Sequence, residues 1–331
     1  MKEVLNFLYE HKTLSKTEAK EILKNIAQGK YNHSQIASFI SVYLMRPITV
    51  DELTGFRNAL LDLCIPVSFS GMETIDVCGT GGDGKDTFNI STLSAFVIAG
   101  AGVKVSKHGN YGVSSACGSS NVIEQLGYRF SSDESKLKKE IEKAGICFLH
   151  APLFNPAMKN VAPVRKELGV KTFFNMLGPM VNPGRPEKQM IGVYSLELAR
   201  LYAYLYQKTE KDFVVVHSLD GYDEISLTGD FKILTREMEK IMGPDDLGLS
   251  EYAPEELAGG KSVPEAAGIF LSILEGKGTQ AQNEVLIANS GMGLKAFYPG
   301  KDISECIGLA RESLESGRAN NALKTLIEVN K

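Results

Sequence analysis

Between residues 76 and 121 the chain gathers Asp76-Val-Cys-Gly-Thr-Gly-Gly-Asp-Gly84, Asn89-Ile-Ser-Thr92, Lys107-His-Gly-Asn110 and Ser114-Ser-Ala-Cys-Gly-Ser119. Glycines let a backbone approach an anion closely and aim N–H groups at its oxygens. Asp83 inside that loop would repel a phosphate unless a cation lies between them. The combination suits a highly charged phosphate ester carried with a divalent metal. Two familiar alternatives fail. Gly79-Thr-Gly81-Gly-Asp-Gly84 matches the dinucleotide spacing, but no Asp or Glu stands between Asp86 and Glu124 to hold ribose hydroxyls. Gly79 and Gly84-Lys85 match the P-loop spacing, but Asp86 stands where Ser or Thr must hold magnesium.

The remaining residues extend that chemistry. Lys107 can supply a point charge to a phosphate, and Ser114, Ser115 and Ser119 hydroxyl donors. Asn89, Ser91 and Thr92 open a helix with more polar side chains than one cap needs. His108 reads as a structural histidine. Asp223-Glu224 adds two carboxylates, and magnesium takes one or two carboxylates plus substrate phosphates. Arg165, in Val164-Arg-Lys-Glu-Leu-Gly, has nothing local to set it apart from a surface arginine.

These residues need elements to hold them. The first ~65 residues read only as helices. Ser15-x-x-Glu18 and Thr49-x-x-Glu52 are capping boxes, each followed by apolar residues at helical spacing. After Gly71 short apolar strands, at 74–77, 103–106, 146–149, 190–194 and 213–217, alternate with helices. The helices are expected at 89–99, 119–126, 133–144, 156–168, 196–207, 265–275, 283–291 and 304–327, with a hairpin and loop in 232–260. Such alternation predicts an α/β domain with a mainly parallel central sheet flanked by helices, its site at the strand C-terminal ends. A small all-α domain precedes it. The expected division is 1–70 and 71–331.

Composition bounds the rest. A chain of 331 residues with 43% hydrophobic and 23% charged residues can bury a sizeable core. Five cysteines without a CxxC pair suggest neither a disulfide framework nor a zinc site, so a reducing cytoplasm is expected. The N-terminus lacks a signal peptide's apolar run, and 93–103 is too short for a membrane span. A net charge of −4 argues against a non-specific nucleic-acid binder.

Together the motifs resemble those of the anthranilate phosphoribosyltransferases, a branch of the glycosyltransferase family that also contains the pyrimidine nucleoside phosphorylases. The resemblance rests on Gly79-Thr-Gly-Gly-Asp-Gly84, Asn89-Ile-Ser-Thr92, Lys107-His-Gly-Asn110, Asn175-Met-Leu-Gly-Pro179 and Asp223-Glu-Ile-Ser-Leu-Thr-Gly229. It implies transfer of the phosphoribosyl group of phosphoribosyl pyrophosphate (PRPP) to the amine of anthranilate, releasing pyrophosphate, in tryptophan biosynthesis. It implies PRPP binding by Gly79, Gly82, Asp83, Thr87, Asn89, Ser91, Thr92, Lys107, Ser115 and Ser119. It implies Mg2+ ligation by Ser91, Asp223 and Glu224, and anthranilate binding by Gly79, Asn110 and Arg165. No covalent residue or general base is implied. A homodimer through the helical domain is also implied, with part of 165–185 returning to that domain.

Several positions depart from the family pattern. Tyr111 and Ala116 replace a usual Arg and Lys, which removes positive charge near the PRPP loop and lowers the expected PRPP affinity. Ser120-Asn121 replaces Ala-Asp, and Asn155 replaces a usual His, for which the nearby His150 is a substitute. Two rivals remain. A pyrimidine nucleoside phosphorylase would use phosphate as nucleophile and leave Asp223-Glu224 without a purpose. A non-catalytic nucleic-acid-binding relative would need a basic groove.

Overall fold

Capping chemistry decides where the first helices begin. In a computed structural model, which describes residues 1–112 and 117–331, Ser15 accepts the Glu18 amide while Glu18 accepts the Ser15 amide. Thr49 and Glu52 do the same for Val50–Leu63. A third box, Asn32 with Gln35, opens His33–Met45 and went unread in the sequence.

Contacts divide the chain into two units, Met1–Val67 with Ala151–Arg185, and Ser68–His150 with Pro186–Lys331. The returning segment is thus longer than the expected 165–185. In the first unit Phe173 is buried among Phe39, Tyr43 and Phe56, stacked on Phe56 at 4.7 Å between ring centroids. Burying a ring of that size among other rings is what ties the returning segment to the N-terminal helices. Glu52, fully buried, accepts hydrogen bonds from Arg46, Tyr43 and the Leu14 amide. The helix expected at 156–168 is instead a 3-10 turn, Pro156–Asn160, followed by Ala162–Leu168.

The second unit is built on a seven-stranded sheet. Its strands are β1 (Thr74–Gly79), β2 (Lys104–Gly109), β3 (Ile146–His150), β4 (Lys188–Gly192), β5 (Asp212–Ser218), β6 (Phe231–Leu234) and β7 (Glu239–Met242). The order is β3-β2-β1-β4-β5-β6-β7, parallel through β5, with β6 and β7 an antiparallel hairpin at one edge. The α/β class holds, with a mostly parallel sheet. Connections leave β1 towards β2 and β3, then resume on its other side at β4. That reversal opens a crevice at the C-terminal ends of β1 and β4.

Helix Ile90–Gly100 is mainly apolar and buried from Thr92 to Ala99, as a helix inside the core must be. Helix Gln280–Phe297 is longer than the expected 283–291 and almost equally enclosed. The single helix expected at 304–327 is two, Ile303–Glu315 and Arg318–Asn330, separated where Gly317 takes φ 77°. Among the described residues no helix is long and apolar enough to cross a membrane.

Candidate active site

The crevice is closed by a carboxylate that two glycines make room for. Gly79 and Gly192 are register partners at the ends of β1 and β4. A Cβ on Gly79 would stand 2.3 Å from Asp223 Oδ2, and one on Gly192 only 1.6 Å from the Asp223 carbonyl oxygen. A side chain at either position would force Asp223 to shift, its carboxylate at Gly79 and its backbone at Gly192. Beyond Gly79 the loop runs through Gly81, Gly82 and Gly84 at φ 65°, 83° and 75°, a left-handed path that other residues strain to follow. It carries the Gly81 amide onto Asp223 Oδ2 at 2.6 Å.

Glu224 is drawn to the helix start. Its Oε1 accepts the Ser91 amide at 3.1 Å, and its Oε2 accepts from the Thr87 hydroxyl at 3.4 Å. A carboxylate at a helix N-terminus is favoured by the unpaired amides and by the helix dipole. Asn289, buried in Gln280–Phe297, fixes the pair from below. Its Oδ1 accepts the Ile225 amide at 3.0 Å and its Nδ2 donates to the Ile225 carbonyl at 2.8 Å. Ser218 Oγ donates to the Glu224 carbonyl at 2.7 Å.

The charges are crowded. Burial, and after it the neighbouring Asp83 carboxylate, pushes Asp223 up to about 7. Burial, followed by Asp223 and Asp83, raises Glu224 well above the usual carboxylate range. Carboxylates raised together in this way mark a place short of positive charge. Lys107 supplies part of it from beneath. It is 2% exposed, its Nζ donates to the Val77 carbonyl at 2.7 Å, and burial lowers its pKa. Lys85 Nζ lies 4.4 Å from the ring centre of Tyr222, the residue before Asp223. Among the described residues no group of three or more His, Cys, Asp and Glu side chains is arranged to hold a metal. Asp223, Glu224 and the Ser91 hydroxyl fit magnesium better, since it keeps waters and substrate oxygens in its shell instead of filling an all-protein cage.

Some of the expected PRPP residues are brought together here. Of these, Gly79, Gly82, Asp83, Thr87 and Ser91, half of the ten, lie on the loop and the helix start, beside the expected metal residues Asp223 and Glu224. Asn89 is the N-cap residue of its helix, but its side chain makes no cap hydrogen bond; its Nδ2 donates to the Cys117 carbonyl at 2.9 Å, tying the loop to the segment before Ser119. Thr92 is 1% exposed and packs in the core side of the helix. Ser119 Oγ donates to the Asn110 carbonyl at 3.2 Å, while the Asn110 side chain is exposed. Ser115 and Ala116 lie outside the described residues.

Arg165 belongs to the helical unit. There its guanidinium donates to Asn175 Oδ1 at 3.3 Å and lies 5.3 Å from the Phe174 ring centre. It is half-buried, and burial alone lowers its pKa, because no carboxylate stands close enough to oppose the effect. The expected surface arginine is therefore a partly desolvated cation without a counter-ion among the described residues. Gly192 and Asn289 were not read from the sequence. A glycine ending the strand beside β1, and an asparagine inside an apolar helix, were the available signals.

The chain matches the "Glycosyl transferase family, helical bundle domain" over residues 2–64 and the "Glycosyl transferase family, a/b domain" over residues 71–320. It is 60% identical over 326 residues to an anthranilate phosphoribosyltransferase of Flavobacterium psychrophilum, covering 98% of each chain. Among solved structures it is similar to the anthranilate phosphoribosyltransferase of Thermus thermophilus, with a TM-score of 0.93, 31% identity and 98% of each chain covered. The Saccharomyces cerevisiae anthranilate phosphoribosyltransferase in complex with PRPP and Mg superposes with a TM-score of 0.87 at 27% identity, over 96% of this chain and 93% of that one.

Proposed function

The chain belongs to the glycosyl transferase family and, within it, to the anthranilate phosphoribosyltransferases; we propose that it joins anthranilate to PRPP, giving N-(5-phosphoribosyl)anthranilate and pyrophosphate in tryptophan biosynthesis. One observation carries this reading. Asp223 and Glu224 are folded into the crevice between β1 and β4, against the glycine loop and the start of helix Ile90–Gly100, where burial and the neighbouring Asp83 carboxylate leave them short of positive charge.

Breaking the C1–O bond of PRPP expels pyrophosphate and leaves an oxocarbenium-like ribose. Ser91, Asp223 and Glu224 would hold Mg2+, which when bound neutralises the charge of the leaving pyrophosphate. The glycine loop, with the Asn89, Thr87 and Ser119 side chains, would line the phosphates, while the Gly81 N–H holds the Asp223 carboxylate. Lys107 would add a buried positive charge, its Nζ held by the Val77 carbonyl of β1. Asp83, Thr92 and Ser115 complete the proposed PRPP set.

The anthranilate amine is a neutral nucleophile at pH 7, so the protein's task is to position it. We assign that task to Gly79, Asn110 and Arg165, with the Arg165 guanidinium, which has no carboxylate beside it among the described residues, taking the anthranilate carboxylate. No covalent intermediate or general base is invoked. The protein is proposed to work in the cytoplasm as a homodimer through its helical unit. Phe7, Tyr9, Leu44 and Met45 support the dimer, since that unit leaves them exposed, Met45 to 86%.

Loss of anthranilate fluorescence with PRPP and Mg2+, each omitted in turn, tests the reading. Consumption only in the complete mixture is expected. Phosphate-dependent cleavage of thymidine or uridine, with PRPP ignored, would replace it with a nucleoside phosphorylase.

A further inference from the structure

His150 ends β3 directly beside Gly109, its register partner on β2. Its ring is 5% exposed and lies between two others: stacked on Phe130 at 4.4 Å and 19°, and edge-on to Tyr111 at 4.7 Å and 76°. Its Nδ1 shares a hydrogen bond of 3.0 Å with Ser120 Oγ. Tyr111 and Ser120 both bear on one residue. Tyr111 follows Asn110 in the chain, and its amide donates to Asn110 Oδ1 at 2.8 Å. The Ser120 amide donates to the Asn110 carbonyl at 3.2 Å, and Ser119 Oγ reaches the same carbonyl.

From this convergence we infer that His150 is a positioning residue for the anthranilate subsite, holding Asn110 through Tyr111 on one side and Ser120 on the other. The inference rests on the proposed function, which places Asn110 at anthranilate. His150 itself touches no substrate in this arrangement. Tyr111 and Ser120 form one contact set with His150. Further hydrogen bonds hold the set: Tyr111 Oη lies 3.4 Å from both Glu124 carboxylate oxygens, and Asn121 Oδ1 accepts the Gly112 and Gly118 amides.

The full-length protein carrying His150→Ala, His150→Phe or Ser120→Ala, compared by steady-state kinetics, tests this. His150→Ala is expected to raise the anthranilate KM about tenfold, leaving the PRPP KM within about twofold. His150→Phe keeps both ring contacts and is expected to recover most of that loss. Ser120→Ala removes the hydrogen bond with little change in packing and is expected to raise the anthranilate KM by a few-fold. In an Asn110→Ala background, His150→Ala is expected to add nothing further. An unchanged anthranilate KM in His150→Ala and Ser120→Ala would overturn the inference, as would equal rises in both KM values or full additivity with Asn110→Ala. If His150→Ala does not fold, Ser120→Ala and His150→Phe decide alone. Failure of the unmodified protein to consume anthranilate overturns the functional reading itself, a result separate from these comparisons.

Discussion

Asp223 occupies the space where a side chain on Gly79 would begin: its Oδ2 lies 2.3 Å from the Cβ position. The glycine that ends β1 is thus defined by a carboxylate far along the chain, and the carboxylate's place by the glycine. Gly79→Ala is expected to displace Asp223 and lower turnover by about a hundredfold, the scale of losing one preorganised group at a reacting centre. Near-normal kcat in a folded Gly79→Ala protein would show that this fit is not needed.

Asp223→Asn and Glu224→Gln remove charge from the proposed metal pair without changing its shape. Both are expected to lower turnover at saturating PRPP and to raise the magnesium concentration for half-maximal rate. A magnesium titration of each variant checks this. Curves that overlie the unmodified protein's would remove the pair from the metal site.

Arg165→Ala should mainly raise the anthranilate KM, because the proposed contact is made in the ground state as well as the transition state. Arg165→Lys is expected to restore little of it, since an ammonium cannot make the paired contact of a guanidinium. Steady-state kinetics with anthranilate varied at saturating PRPP provides the measurement, and an unchanged KM in Arg165→Ala refutes the assignment.

Asn289 satisfies both backbone groups of Ile225 inside the core. Asn289→Ala would leave that N–H and C=O unpaired, at a cost of about 1–3 kcal/mol for each buried group left unsatisfied. Lower stability in urea unfolding and lower kcat are both expected, because Ile225 follows Glu224 directly. Full stability and activity in Asn289→Ala would contradict this.

Glu140 gives a pH dependence with a definite sign. It is fully buried, accepts from Tyr128 Oη at 2.6 Å and from Asn330 Nδ2 at 2.8 Å, and burial raises its pKa. A raised carboxyl favours folding below its unfolded pKa, and that contribution disappears as pH rises through the folded pKa. Glu140→Gln is therefore expected to gain stability relative to the unmodified protein at pH 7–8. The gain should shrink as pH falls into the carboxylate range. Thermal unfolding at several pH values measures it, and a gain that grows toward acid would reverse the sign.

The sequence by itself determined what local chemistry can determine. Capping boxes at Ser15 and Thr49 begin helices because their partners lie three residues away. Apolar runs set the parallel strands, and Asp83 among glycines pointed to a cation because like charges repel in a short loop. Tertiary structure decided what depends on residues distant in the chain. It closed Asp223 against Gly79 and Gly192, hung Glu224 on the Ser91 amide, and buried Lys107 beneath the loop. It also made Arg165 a half-buried cation without a carboxylate partner among the described residues. Steric fit, desolvation and hydrogen bonds across the fold have no period in the sequence, so residue types could name the participants but not their arrangement.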